Sequence, residues 1–445
     1  MDFAFGNLST DELKQYHHQV MRQGVRHGHE ISPRLPAAHE PVTLHATVGE
    51  ELSAEAMACY YTTDGTEPVG QRGVAENGEV VMFAQSTPVW DNFAWGYIGQ
   101  WTATLPGFAS GTRLRYRIGA WSAGGDEVFA DYPDQKLSIV YASDCHFVQG
   151  VRPDPAVRHG DPQPGTVFAL NIGQPPAPSW AHEAIIYHLM PDRFRPGNGR
   201  GWLQTEDLSG ICGGTLLGVI EGLDYIADLG ANCIWISPPY VTPSWHGYDT
   251  ADYREIEPRL GDKETVRRLI GAAHDRGLRV LFDMACNHVS NHHPIFQAAQ
   301  ADSRSPYRDW FTFDDSEVGY QGFFGVASMP EINLTHPDAR DWMVENGLYW
   351  VREFDIDGYR LDYASGCGPD FWTYFVGACK TEKPDTFYMG EITDPPDIMQ
   401  SYVGRLDGLS PSGDRYQRAQ QPHRREAPCL QAGLHLSGDL HVHGQ

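Results

Sequence analysis

Two hydrophobic patterns divide this chain. Between residues 38 and 140 apolar and polar positions alternate in short runs, as in Val42-Thr-Leu-His-Ala-Thr-Val48 and Arg113-Leu-Arg-Tyr-Arg-Ile118. Turn dipeptides such as Asp64-Gly65 and Asn77-Gly78 separate the runs. A period of two marks half-buried strands, so the region is expected to be an antiparallel β-sandwich. From Trp180 onward short apolar runs alternate instead with segments of helical period. Residues 185–189, 232–236, 280–284, 358–361 and 387–390 read as strands. Residues 215–229 are amphipathic and stop at Gly230, and Asp262 caps a helix carrying Val266, Leu269, Ile270 and Ala273. Further helices are expected over 338–354 and 369–379. Apolar strands alternating with capped helices predict a parallel α/β sheet. Gly213-Gly214 alone makes no dinucleotide fingerprint, which favours a barrel over an open nucleotide-binding sheet.

The remaining segments complete the expected organisation. Ser9 and Glu12 have capping-box spacing, and Leu13, Tyr16 and Val20 share a face, so a helix over 9–26 is expected within an N-terminal helical segment, 1–37. Residues 141–179 are rich in Pro and Gly and read as a linker. The barrel region, 180–408, carries a less regular insertion at about 289–330. Residues 409–445 are dense in Arg, Gln, His, Pro and Ser without period, and read like a chain translated in a shifted frame. Trp90, Trp95, Tyr97 and Trp101 offer either a stacking platform or sandwich core.

Composition narrows the function. A formal net charge of −25 excludes nucleic acid and anionic membrane as natural partners. No apolar run approaches the ~18 residues of a membrane span, and the start, Met1-Asp2-Phe3-Ala4-Phe5-Gly6, has no secretory pattern. The eight cysteines form no Cys-x-x-Cys pair, which suits a reduced, cytoplasmic protein. Oligomeric state is left open.

Three acids then stand in order at the ends of apolar runs. Asp283 opens Asp283-Met-Ala-Cys-Asn287-His288, Asp362 closes Gly358-Tyr-Arg360-Leu361-Asp362, and Glu391 follows Gly390. The carboxyl ends of parallel strands are where α/β barrels present catalytic groups. Met190-Pro-Asp-Arg-Phe194, His246-Gly-Tyr248-Asp249-Thr-Ala-Asp252-Tyr253 and Met329-Pro-Glu-Ile-Asn333 accompany them. Over residues 180–408 this ordered set resembles the α-amylase family (glycoside hydrolase family 13). The Tyr-Asp-Thr-Ala-Asp-Tyr run and the Met-Pro-x-Ile-Asn form resemble its neopullulanase and cyclomaltodextrinase branch, whose members also carry an N-terminal β-sandwich.

The resemblance implies a (β/α)8 TIM barrel, of which about five to six strands lie in this sequence, and retaining hydrolysis of α-glucans such as starch, maltodextrin, pullulan or cyclodextrin. Retention uses two carboxyl groups about 5–5.5 Å apart. By resemblance Asp362 is the nucleophile, Arg360 keeps it ionised and oriented, and Glu391 is the general acid and then base, a role that asks for a raised pKa. His288 would bond the sugar hydroxymethyl, Tyr248 would stack on the same ring, and His246 and Asp249 would join them as substrate-binding residues. Asp283 and Asn287 would brace the site.

The residue at the Asn287 position is often a calcium ligand in the family. Here Tyr363-Ala-Ser-Gly366-Cys367 replaces the usual Lys-His after the nucleophile, and Asp192, Arg193, Asn198 and Gly199 supply few ligands of a related calcium loop. The reading therefore requires no cofactor and names calcium as the metal the resemblance permits. The family's third catalytic Asp, in an Asn-His-Asp motif, has no counterpart, because no His-Asp dipeptide follows Glu391. The chain as written is thus expected to be impaired by loss of the barrel's end. A non-catalytic α-glucan-binding descendant and a transglycosylase on the same barrel stand as alternatives.

Overall fold

A computed structural model describes residues 24–91, 96–130, 166–392 and 399–410. Two compact units divide them, one made of residues up to 174 with 394–405, the other of 175–393 and 406 onward.

In the first unit, Val42–Gly49 runs antiparallel to Gly96–Leu105, from Val42 opposite Leu105 to Gly49 opposite Ile98. A second sheet is built on Arg113–Trp121, which pairs with Ala56–Thr62. The alternation sends Val42, Leu44, Ala46 and Val48 inward. They meet Met57, Leu114, Ile118 and Phe168 in one apolar core. Each fully buried aliphatic side chain there contributes about 1.5–3 kcal/mol.

Two boundaries differ from expectation. Most of the helix expected over 9–26 lies outside the described residues, but its last part is strand: Val25–Arg26 pairs with Val48 and Thr47. Ile31–Ser32 joins the same strand. Val25 and Ile31 both fill the sandwich core, so packing overrides the helical period. Likewise, Phe168–Asn171 pairs with Arg113–Tyr116 inside the segment read as a linker. Prolines on both sides had hidden a four-residue strand whose Phe168 stacks on Tyr116 at 5.4 Å.

Of the aromatic quartet, Trp101 is core, at 3% exposure. Trp90 and Tyr97 are half exposed and meet edge to face at 5.4 Å. Trp95 lies outside the described residues.

His27 sets a pH limit on this unit. It is 1% exposed, one ring nitrogen 2.6 Å from the His45 carbonyl and the other 2.8 Å from the Tyr116 hydroxyl. Burial, with His29 beside it, pushes its pKa down to about 3. The unfolded chain takes up a proton near pH 6.5 that the folded one refuses. The stabilisation is therefore complete above pH 6.5 and lost as pH falls toward 3, a loss on the order of 4 kcal/mol. Denaturant midpoints for this unit are expected to drop between pH 6.5 and 4, and His27→Gln to flatten that drop.

The second unit holds six parallel strands in sequence order: β1 (Ile186–Leu189), β2 (Cys233–Ile236), β3 (Arg279–Ala285), β4 (Gly358–Asp362), β5 (Phe387–Glu391) and β6 (Gly408–Ser410). Helices α1 (Leu216–Asp228), α2 (Lys263–His274), α3 (Pro294–Ala301), α4 (Pro337–Phe354) and α5 (Gly368–Glu382) accompany them. Asp262 caps α2 as the sequence suggested, accepting from the Thr265 N–H, and Thr215 caps α1, accepting from the Gly218 N–H. A hairpin of Tyr240–Val241 and Asp252–Ile256, not anticipated, lies between β2 and α2. Strand β6 reaches past the expected start of the aberrant tail, with Leu409 opposite Gly390 and Ser410 opposite Glu391. Residues 411–445, including His441 and His443, lie outside the described residues.

Strands β4 and β5 approach closely at Gly358. Its φ is +139°, and a Cβ there would lie 1.9 Å from the Phe387 carbonyl oxygen. No side chain fits without parting the two strands that carry Arg360, Asp362 and Glu391. Gly358→Ala is expected to cost more than about 3 kcal/mol in a denaturation titration.

Candidate active site

The acids meet because β3, β4 and β5 are adjacent and in register, with Asp283 beside Arg360 and Leu361 beside Gly390. Arg360 and Asp362 are two residues apart on one strand and so face the same way. Arg360 Nη1 donates to Asp362 Oδ1 at 2.6 Å and to Asp283 at 3.0 and 2.9 Å. Its Nη2 lies 2.7 Å from Glu391 Oε2. One planar fork thus grips both expected catalytic acids, which keeps them close. Burial works against the Arg360 charge, but Asp283, Asp362 and Glu391 together hold its pKa above the ordinary value. Burial raises the Asp362 pKa, opposed by Arg360. Glu391 Oε2 also accepts from the Tyr363 backbone N–H at 3.1 Å, and Tyr363 takes a left-handed φ of 40° to present it.

Asp283 is fully buried. Besides Arg360, its Oδ2 accepts from Trp235 Nε1 at 2.8 Å and from the Tyr248 hydroxyl at 3.0 Å. Burial pushes its pKa up, and the Asp362 charge adds to that push against the pull of Arg360. The expected bracing residue is therefore a hub that ties β2, β3 and β4 to the loop bearing Tyr248.

That loop brings the substrate-binding candidates together. His246 stacks on Tyr248 at 5.9 Å, and its Nδ1 accepts from the Tyr248 N–H at 3.1 Å. Burial holds the His246 pKa below its usual value, although Asp249 and Asp362 pull the other way. His288 Nε2 donates to the Tyr248 carbonyl at 3.1 Å, which places the two residues side by side. Asp249 departs from expectation. It is 5% exposed, and its Oδ1 accepts from the hydroxyls of Thr242 and Ser244. Held by these hydroxyls, it braces the loop that carries His246 and Tyr248 and presents little surface to a sugar.

Asn287 Nδ2 donates to Glu331 at 3.3 Å, while its Oδ1 is buried without a hydrogen bond among the described residues. One spare oxygen is too little for calcium, which takes 6–8 oxygen ligands. No cluster of three His, Cys, Asp or Glu side chains suits a metal among the described residues. Both Asp192 oxygens are occupied by the backbone N–H groups of Cys212 and Gly213. Among the described residues these side chains do not assemble a calcium site.

Two site residues escaped the sequence reading. Trp235 carries the N–H that reaches Asp283, and the Arg360 guanidinium sits 4.9 Å from its ring. On the indole lies His188, stacked at 3.7 Å and 18° and hydrogen-bonded to Ser237 at 2.9 Å. Both sit within apolar strand runs, where nothing in a single sequence separates a residue at the mouth from one in the core.

Six parallel strands with an arginine-bridged pair of acids at the carboxyl ends of two of them have the arrangement in which (β/α) barrels present catalytic groups. Comparisons agree. Residues 188–407 match the family model for the alpha amylase catalytic domain. "Alpha-amylase 2" of Dictyoglomus thermophilum is 45% identical over 239 residues, which is 54% of this chain and 42% of that protein. "Intracellular maltogenic amylase" of Bacillus subtilis is 38% identical over 228 residues, 48% of this chain and 39% of that protein. A solved "Cyclomaltodextrinase" superposes with a TM-score of 0.50 at 24% identity, covering 88% of this chain and 64% of that one, a likeness of fold. The chain thus spans about two fifths of the length of these curated relatives. Through residues 188–407 it belongs to the α-amylase family, whose catalytic domain is a (β/α)8 barrel, and its relatives' names fall in the branch that its motifs resemble.

Proposed function

We propose that the protein is a retaining glycoside hydrolase of α-glucans, with Asp362 as nucleophile and Glu391 as acid and then base. The observation that supports this most is the single Arg360 fork on both acids. Asp362, oriented by Nη1, attacks the anomeric carbon and forms a glycosyl ester. Glu391 has Oε2 committed to Arg360 and the Tyr363 N–H, so Oε1 is the atom that passes a proton to the leaving oxygen. After departure the same oxygen takes a proton from a water whose oxygen attacks the anomeric carbon, the ester bond to Asp362 breaks, and the sugar leaves with its configuration kept and Asp362 a carboxylate again. Tyr248 offers its ring to the sugar and His288 stands beside it. The reaction needs no metal in this reading.

Free thiols at Cys59, Cys212, Cys233, Cys286 and Cys379 suit the reducing cytoplasm in which we place the protein. Among the described residues no helix is long and apolar enough to cross a membrane.

Proton NMR of the first products from an aryl α-maltoside tests the reading. The α-anomer is expected to appear first. A β-anomer, or no cleavage by folded protein, would overturn it.

A further inference from the structure

A second cavity of about 340 Å³ lies in the same unit, between the hairpin strand Asp252–Ile256, the start of α3 and the middle of α4. Asp252, Arg254, His293, Trp342 and Asn346 line it, and none of Asp283, Arg360, Asp362 or Glu391 does. Its volume falls within the range of about 300–1,000 Å³ typical of small-molecule sites.

The lining is incomplete as it stands. Asn346 is 3% exposed, and its Oδ1 accepts from Arg254 Nε at 2.9 Å. That bond fixes the amide, and Nδ2 is left buried without a partner among the described residues. A buried donor without an acceptor costs about 1–3 kcal/mol, so an occupant that brings an oxygen is favoured. His293 is 6% exposed, and its Nδ1 accepts from the Ile295 N–H at 3.2 Å. The ring proton then sits on Nε2, a second donor. Burial lowers the His293 pKa to about 4, which keeps the ring neutral near pH 7. Asp252 takes the Arg254 N–H on Oδ1 at 2.8 Å and keeps Oδ2 as an acceptor. Trp342 adds an aromatic wall.

Charge narrows the ligand class. Asp252 disfavours an anion and Arg254 disfavours a cation. Neutral donors, one acceptor and an aromatic side together suit hydroxyl groups, which donate and accept at once, on a ring with an apolar face. We propose that this cavity binds one glucosyl unit of an α-glucan, at a site separate from the cleft of Asp362 and Glu391. The choice of glucose among neutral sugars rests on the α-glucan hydrolase reading.

The test uses the full chain with Glu391→Gln, which stops turnover, titrated with maltose by calorimetry. Two independent binding classes are expected. Asp252→Ala added to that protein is expected to weaken one class at least tenfold and leave the other unchanged. Asp252→Asn, which keeps the Arg254 contact, gives a smaller loss and serves if the alanine variant does not fold. Aryl maltoside cleavage, measured on wild type and on Asp252→Ala alone, is expected to be equal. A single maltose class, or two classes indifferent to both Asp252 variants, would overturn the cavity site. If the wild type cleaves aryl maltoside in that event, the hydrolase reading stands. An Asp252-dependent class in a protein that cleaves nothing would sustain the site and remove the hydrolase.

Discussion

Asp362→Asn is expected to lower turnover of aryl α-maltosides by at least about 10⁴-fold, with little change in KM. The amide keeps the shape and cannot form the glycosyl ester, and the loss of a central catalytic group in comparable machinery has that size. Arg360 is 7% exposed on its side chain and bonded to three acids, so it keeps Asp283 and Glu391 as partners in the variant. Near-wild-type unfolding is therefore expected alongside the lost rate, a combination that separates chemistry from collapse. Steady-state kinetics paired with denaturant unfolding check it. Retention of a tenth or more of the wild-type kcat would remove Asp362 as nucleophile.

Lys380→Met is expected to destabilise the barrel unit by about 3–5 kcal/mol. Lys380, in α5, is fully buried, and its Nζ lies 2.9 Å from Asp407 Oδ1 and 2.8 Å from the Pro176 carbonyl. Asp407 Oδ2 accepts from the Tyr388 N–H at 3.1 Å, which ties the approach to β6 onto β5. Removing the ammonium strands a buried carboxylate. Burial already pushes the Asp407 pKa up to about 6, against the pull of Lys380. A carboxyl raised in the folded state loses stability as pH climbs from about 4 to 6, because only the unfolded chain ionises freely. The damage from Lys380→Met should thus be larger at pH 7.5 than at pH 4.5. Lys380→Met with Asp407→Leu should regain part of the loss. An equal effect at both pH values would show that the pair contributes packing and no charge.

Much of this was legible in the chain. The strands that carry the acids are runs of buried residues, and two helix ends are written in Asp262 and Gly230. Arg360 and Asp362 could be paired from spacing alone, since a strand repeats every two residues. What escaped depends on three-dimensional neighbours. Val25 looks like the end of a helix until Val48 is placed beside it. Phe168–Asn171 looks like linker until it meets Arg113–Tyr116. Asp249 looks like a substrate ligand until Thr242 and Ser244 close over it. Trp235 is indistinguishable from core until its indole N–H is found 2.8 Å from Asp283. Each is a long-range contact, and a local pattern carries no record of such partners.

The covalent intermediate tests the central claim most directly. The full chain is incubated with a 5-fluoro-α-glucosyl fluoride, which forms the ester quickly and hydrolyses it slowly, and is then digested for peptide mass mapping. The account predicts one fluoroglucosyl group per chain on the peptide containing Asp362, present in the Glu391→Gln protein and absent from Asp362→Asn. A label on any other residue, or cleavage of the fluoride with no label on Asp362, would contradict it.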